Sequence, residues 1–175
     1  MSTFQIRKPA ADTYHSYFRQ YIDEVPDGHV LDILQSQLSE MQRLLIPIPE
    51  ERSRYCYAPG KWSLKEVLGH VIDTERIFAY RALRIARNDQ TPLPGFEQDD
   101  YVAAAEFNQL PWVDLVKAYE HVRVATLDLF SSLSLEAWHR SGIVSQAGVS
   151  VQALAWIICG HEWHHVMIIR SKYLV

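Results

Sequence analysis

The sequence predicts an all-α protein, a four-helix bundle with one long crossover connection. Three observations predict it. Four stretches carry apolar residues at steps of three and four, the spacing of a helix face packed on a core. None of the four has a proline past its first position, and two open on clear helix-start signals. No stretch alternates apolar and polar residues over the length that a strand needs.

Length and composition set the outer bounds. A chain of 175 residues, 48% apolar, suffices for one domain spanning residues 1–175 with a sizeable core. The net charge is −4 with both signs interspersed, which argues against the basic clustering of a nucleic-acid groove. No apolar run approaches 18 residues, so no segment is expected to span a membrane. Residues 1–9, Met-Ser-Thr-Phe-Gln-Ile-Arg-Lys-Pro, lack the apolar core of a signal peptide. Cys56 and Cys159 make no disulfide framework, and Cys159 lies in an apolar helical run as packing. These readings together describe a soluble protein of the reducing cytoplasm.

Residues 1–27 read as a lead-in packed on the bundle. Asp12 to Val25 can form a short helix whose stripe of Tyr14, Tyr17, Phe18 and Tyr21 reads as packing. His15 and His29 read as solvated. The first long helix covers about 29–46, with Val30 or Leu31, Leu34, Leu38, Met41 and Leu45 inward and Pro47 as its stop. Residues 47–60 are too broken for a helix.

The second helix, about 63–88, begins with a capping box, Ser63 as N-cap and Glu66 at N3. Trp62 and Val67 can close the hydrophobic staple around it. Leu64, Val67, Leu68, Val71, Phe78, Ala82 and Ile85 form its apolar face, with His70, Thr74, Ile77 and Arg81 on the flank. Residues 89–110 are far more than antiparallel neighbours need, so they cross the molecule, with room for a short helix from Asp99 to Ala105.

The third helix, about 111–132, takes Pro111 at N1 and a stripe of Leu115, Tyr119, Val122, Thr126, Leu129 and Leu133. His121 and Arg123 fall off that stripe and read as surface. Ser134 to His139 reads as one turn with Trp138 inward, and residues 142–148 as a loop. The last helix, about 150–172, follows Ser150 as N-cap.

That last helix carries the chemistry. Its inner stripe is Leu154, Ile158, His161, His165, Ile168 and Lys172, so two imidazoles stand where leucines are expected. An unpaired buried polar group costs about 1–3 kcal/mol, and one cation between two rings a turn apart compensates both. The stretch from His161 to His165 also fits H-E-x-x-H, the zincin protease motif. Zincins take a third ligand downstream and pair the helix with a sheet. Only ten residues follow His165, with no His, Asp or Glu among them, so the protease reading is set aside. The third ligand comes instead from upstream, His70 on the second helix, as metal sites in bundle cores are built.

Pro59-Gly60-Lys61-Trp62-Ser63 followed by His70, then Gly160-His161-Glu162-x-His164-His165 near the C-terminus, resembles the DinB-like superfamily, the YfiT-like metal-dependent hydrolases, over about residues 28–173. The resemblance implies an up-down-down-up bundle, frequent homodimers, and a divalent ion, zinc or nickel, on His70, His161 and His165. It also brings in relatives that are thiol-dependent transferases and isomerases using bacillithiol or mycothiol. Around that site, His164 and Glu162 turn away from the seam. Glu162 is a weaker candidate for a general base than for an outer or surface role. Asp73 can hold the free ring nitrogen of His70 or pair with Arg76 or Lys65. Arg81 can meet an anionic substrate or simply be solvated. Three functions stay open: a hydrolase that activates water for a small-molecule substrate, a metal-dependent thiol transferase, and a non-catalytic metal-binding bundle.

Overall fold

A computed structural model describes residues 6–174. Residues 1–5, part of the stretch weighed above as a signal segment, lie outside them. The lead-in forms a 3-10 turn, Ser16–Phe18, and a short α1, Arg19–Glu24, less helix than the expected Asp12 to Val25. Next come α2, Val30–Leu45, and the single turn α3, Glu50–Ser53. The long α4, Leu64–Ala86, is followed by α5, Gln98–Ala105, within the crossover. Then follow α6, Trp112–Ser131, and α7, Leu135–His139. A hairpin of β1, Ser141–Val144, and β2, Ala147–Ser150, leads into α8, Val151–Ile168. Among the described residues no helix is long and apolar enough to cross a membrane.

Contacts at the helix ends fix the direction of each long helix. The starts of α4 and α6 lie side by side: Ser63 Oγ meets Asn108 Oδ1 at 2.8 Å, and Lys65 Nζ donates to Leu110 O at 2.5 Å. These two helices therefore run parallel. The end of α2 meets the start of α6, where Trp112 Nε1 donates to Leu45 O. The end of α8 meets the start of α4, where the Tyr173 hydroxyl donates to Trp62 O at 2.6 Å. The order is up-down-down-up, and the crossover is long because two consecutive long helices point the same way.

The capping box at α4 is complete. Glu66 N donates to Ser63 Oγ at 3.2 Å, and Ser63 N donates to Glu66 Oε2 at 2.6 Å. The half-buried Trp62 packs in the same apolar cluster as Val67, closing the staple. The expected inner residues of α2 and the seven apolar residues of α4 are all buried, Val30 rather than Leu31 being the first. Helix α8 is the centre of the molecule. From Val151 to Glu162 every residue except Gln152 is buried, as a helix apolar on all sides must be.

Four details depart from the sequence reading. Residues 142–148 are not a plain loop but most of the β1–β2 hairpin, paired antiparallel with Val144 opposite Ala147. Its two-residue turn, Ser145 and Gln146, sits at φ 49° and 67°. Such turns usually carry Asn-Gly, and four-residue strands are too short for a periodic signal, so neither mark was visible. Pro111 is the N-cap of α6 rather than its first residue. Arg123 is fully buried where Val122 was expected, and its partners lie far away in sequence. The end of α8 widens into a π-helix, Ile169–Tyr173, which turns Tyr173 inward and leaves Lys172 exposed.

The lead-in lies across α8 at Gly160. A Cβ added there would stand 2.2 Å from Tyr21 O, so only glycine lets the two backbones meet. Gly160→Ala gains about 1 kcal/mol of helix propensity but forces an overlap that typically costs 1–3 kcal/mol. We expect a lower melting temperature for Gly160→Ala in a thermal scan. A rise would mean that the lead-in does not dock on α8.

Candidate metal centre

The fold brings His70, His161 and His165 together. One ligand nitrogen from each lies within 4.8 Å of the others. His70 Nε2 and His161 Nε2 are 3.0 Å apart, close to the roughly 3.3 Å between two nitrogens at 2.0–2.1 Å from a tetrahedral ion. The ring of His165 is 4.9 Å from that of His70 and 4.6 Å from that of His161. Its Nδ1 is buried without a hydrogen-bond partner among the described residues. Helix geometry explains the pairing: His161 and His165 are one turn apart on α8, and antiparallel packing carries the His70 flank of α4 against them.

The electrostatics suit metal ligands. Burial pulls His70 down to about 4 and His165 down to about 3. Burial also holds His161 well below its usual value, with His165 and His70 adding to the effect. All three rings are therefore neutral at pH 7, with a lone pair each to offer. His70 Nδ1 lies 3.4 Å from Thr74 Oγ1. If that nitrogen carries the proton and donates to Thr74, Nε2 keeps its lone pair toward the cluster.

Asp73 does not take that role. It pairs with Arg76 at 3.1 Å on the helix surface, where water solvates its carboxylate. Glu162 is not a surface residue: burial raises its carboxyl to about 7, and its Oε1 has no partner among the described residues. It is buried, and its Oε2 accepts from Arg123 Nη2 at 2.5 Å and from the Tyr119 hydroxyl at 2.9 Å. Arg123 also forks onto Glu75, Nε to Oε1 and Nη2 to Oε2, both at 2.8 Å. Its Nη1 donates to Leu34 O at 3.2 Å. His164 is half-buried beside the site, its ring 5.4 Å from Tyr21 and 5.3 Å from His165. His15 and His121 are exposed and His29 is half-buried, none of them in the cluster. Cys159 is buried, and its thiol is pushed far above the ordinary range by that burial.

The DinB superfamily model matches residues 33–169. The chain belongs to the DinB superfamily. A protein of Oceanobacillus iheyensis, named as an inferred metal-dependent hydrolase, is 29% identical over 128 residues, 69% of this chain and 69% of its own. YfiT from Bacillus subtilis is described as a metal-dependent hydrolase by inference, with an unusual four-helix bundle topology. It superposes with a TM-score of 0.72 at 12% identity, over 94% of this chain and 90% of its own. The mycothiol-dependent maleylpyruvate isomerase superposes with a TM-score of 0.66 at 19% identity, over 83% of this chain and 61% of its own. At such identities the two solved structures establish the fold alone.

In this DinB chain a cleft of about 600 Å³ opens on the histidines. Its walls come mostly from outside the long helices: Tyr17 and Tyr21 of the lead-in, Phe96 and Asp99 of the crossover, and Ser145 and Gln146 of the hairpin turn. The lead-in aromatics are thus not only packing, since Tyr21 edges onto His161 at 5.8 Å. Sequence reasoning missed Asp99, which lines this cleft and also a second cavity that reaches His165. It gave Trp62 only a role at the helix start, yet the Trp62 ring lies 4.9 Å from that of His70. The Lys-Trp-Ser start carried that signal, since Trp62 stands eight residues before the histidine and about two helical turns bring the ring back over it.

Removing the buried cation should strand two buried carboxylates. Arg123→Met is expected to cost about 3–5 kcal/mol, the range for breaking a buried pair from one side. Urea unfolding with an unchanged midpoint would show that the network does not tie the helices.

Proposed function

We propose that the protein is a metal-dependent hydrolase of small molecules, with one divalent ion, zinc or nickel, held by His70, His161 and His165. The observation that carries the reading is the donor set: three neutral imidazoles, two buried and one half-buried, converge from two helices with no fourth protein ligand in the cluster among the described residues. Structural zinc sites usually close with four protein ligands, so a set of three favours catalysis. A divalent ion on three neutral ligands keeps its full charge and an open position, and supplies the Lewis acidity that brings water or a thiol toward ionisation at neutral pH.

The chain's own residues do the rest. Thr74 and Trp62 pack on the ring of His70, while Tyr21 walls the cleft beside His161. Glu162 does not line the cleft, so the proton acceptor is Asp99, an exposed carboxylate on the cleft wall that acts electrostatically on His70. A second reading is a metal-dependent thiol transferase. It uses the same ligands and is supported by the likeness to the mycothiol-dependent isomerase. A homodimer is part of the proposal, supported by the exposed Tyr80, Leu83 and Tyr101.

Elemental analysis of identically purified variants tests the site. Wild type, His15→Ala, His121→Ala and His164→Ala should hold one equivalent of zinc or nickel after reloading at pH 7.5. His70→Ala, His161→Ala and His165→Ala should lose most of it. Full occupancy in His70→Ala would put the third ligand elsewhere. A panel of esters, amides and thiol cofactors, assayed on metal-loaded protein, separates hydrolase from transferase. On whichever substrate turns over, Asp99→Asn should keep its metal and lose about 10²–10⁴ in kcat. An unchanged kcat would remove Asp99 as the proton acceptor.

A further inference from the structure

Arg81 lies eleven residues beyond His70 on α4, about 16 Å along the axis, with Thr74 and Phe78 between them on the cleft wall. It is only 5% exposed. Among the described residues it meets no carboxylate. Its one hydrogen bond runs from Nη2 to Pro94 O at 2.8 Å, and the rings of Phe78 and Phe96 lie 5.4 Å and 5.6 Å from Cζ. The other deeply buried arginine, Arg123, has two carboxylates. A cation taken out of water without a counter-ion is unfavourable, and burial does pull Arg81 below its ordinary value.

The guanidinium has five N–H donors, of which Pro94 takes one. None of its nitrogens is among the buried atoms left without a partner, so the remaining donors reach open space. That space is a junction. Arg81 lines the cleft that runs to His70 and His161, and it also lines an adjoining, mainly apolar cavity of about 300 Å³ between Phe18, Phe78, Val149 and Leu154. Glu97 and Asp99 line the cleft as well, on α5 and its N-cap, and Asp99 acts on His70. The cleft therefore has an acidic side beside the histidines and a cationic corner at Arg81.

We propose that Arg81 is the specificity-determining residue of the cleft, and that the substrate is an amphipathic carboxylic acid. Its carboxylate lies on the Arg81 fork and its apolar substituent fills the cavity behind. Its reacting group reaches along the cleft to the three histidines. Only this last placement rests on the hydrolase reading.

The test is calorimetric titration of the full chain with 4-phenylbutyrate and with 4-phenylbutyramide, its uncharged counterpart, with metal loaded and after chelation. Wild type should bind the acid at least tenfold more tightly than the amide in both forms. Arg81→Met, which keeps an apolar stem, should lose that preference while retaining its metal. Arg81→Lys keeps the charge without the fork and should bind the acid at least threefold more weakly than wild type at an unchanged melting temperature. It decides the matter if the methionine variant does not fold. The proposal is overturned if wild type shows no preference for the acid, or if either folded variant binds the acid as wild type does. It is overturned too if chelation abolishes the preference, which would place the carboxylate on the ion. Failure to take up metal, with Arg81-dependent binding intact, would sink the hydrolase reading and leave this one standing.

Discussion

One guanidinium touches all four long helices. Arg123 belongs to α6 and is bound to Glu75 of α4, Glu162 of α8 and the Leu34 carbonyl of α2. Apolar packing alone lets helices slide by a turn at modest cost, because a leucine fits many holes. A fully buried arginine does not tolerate that freedom, since a shift of one turn leaves charges unpaired in the core. Glu162 adjoins His161, and Glu75 lies five residues past His70 on α4. The network therefore sets the register in which the histidines of α8 stand over the histidine of α4. Its net contribution to stability is smaller than its contacts suggest, because desolvating charges offsets most of their attraction.

The four long helices and the cluster of histidines were legible from the sequence because both follow from periodicity. Leu34, Leu38, Met41 and Leu45 repeat at helical steps, and His161 and His165 fall in the same kind of repeat. Local chemistry was legible too, as in the capping box at Ser63. What failed was polarity used as a guide to exposure. Arg123 and Glu162 are charged and were read as outward, yet each is buried because the other is. Such a pair has no signature at either position alone. Of the two readings open to Asp73, the pair with Arg76 holds, because the carboxylate is better solvated outside, while the Thr74 hydroxyl is cheap to bury beside His70. The hairpin and the π-turn were illegible because each departs from regular periodicity over only a few residues.

The cleft divides labour between rigid and variable parts. The ligand side chains project from long, deeply packed helices, which hold them with little freedom. The walls come from the lead-in, the crossover and the hairpin, whose Ser145 and Gln146 adopt left-handed backbone that their side chains disfavour. The crossover is itself fastened to the hairpin: Leu93 N donates to Ile143 O, and Ser145 N donates to Leu93 O. The wall segments support one another beside the bundle core, to which Ile22, Leu93, Val144 and Val149 also contribute. Changes there can alter what the cleft admits and leave the histidines in place.

The parallel course of α4 and α6 has an electrostatic consequence of its own. Peptide dipoles give each helix a positive amino end, and a parallel pair sets two such ends side by side, where they repel. Glu50, on the short α3 before the pair, answers both. One of its oxygens takes the ammonium of Lys65 in the first turn of α4, and the other accepts from Trp112 N at the first residue of α6, 2.7 Å away. These two partners, Lys65 first, hold the Glu50 carboxyl below its ordinary value, so it stays charged in this place. The turn that looks like mere connection between α2 and α4 is thus a counter-charge, set where an up-down-down-up order creates a field that a simple up-down bundle would cancel between neighbours.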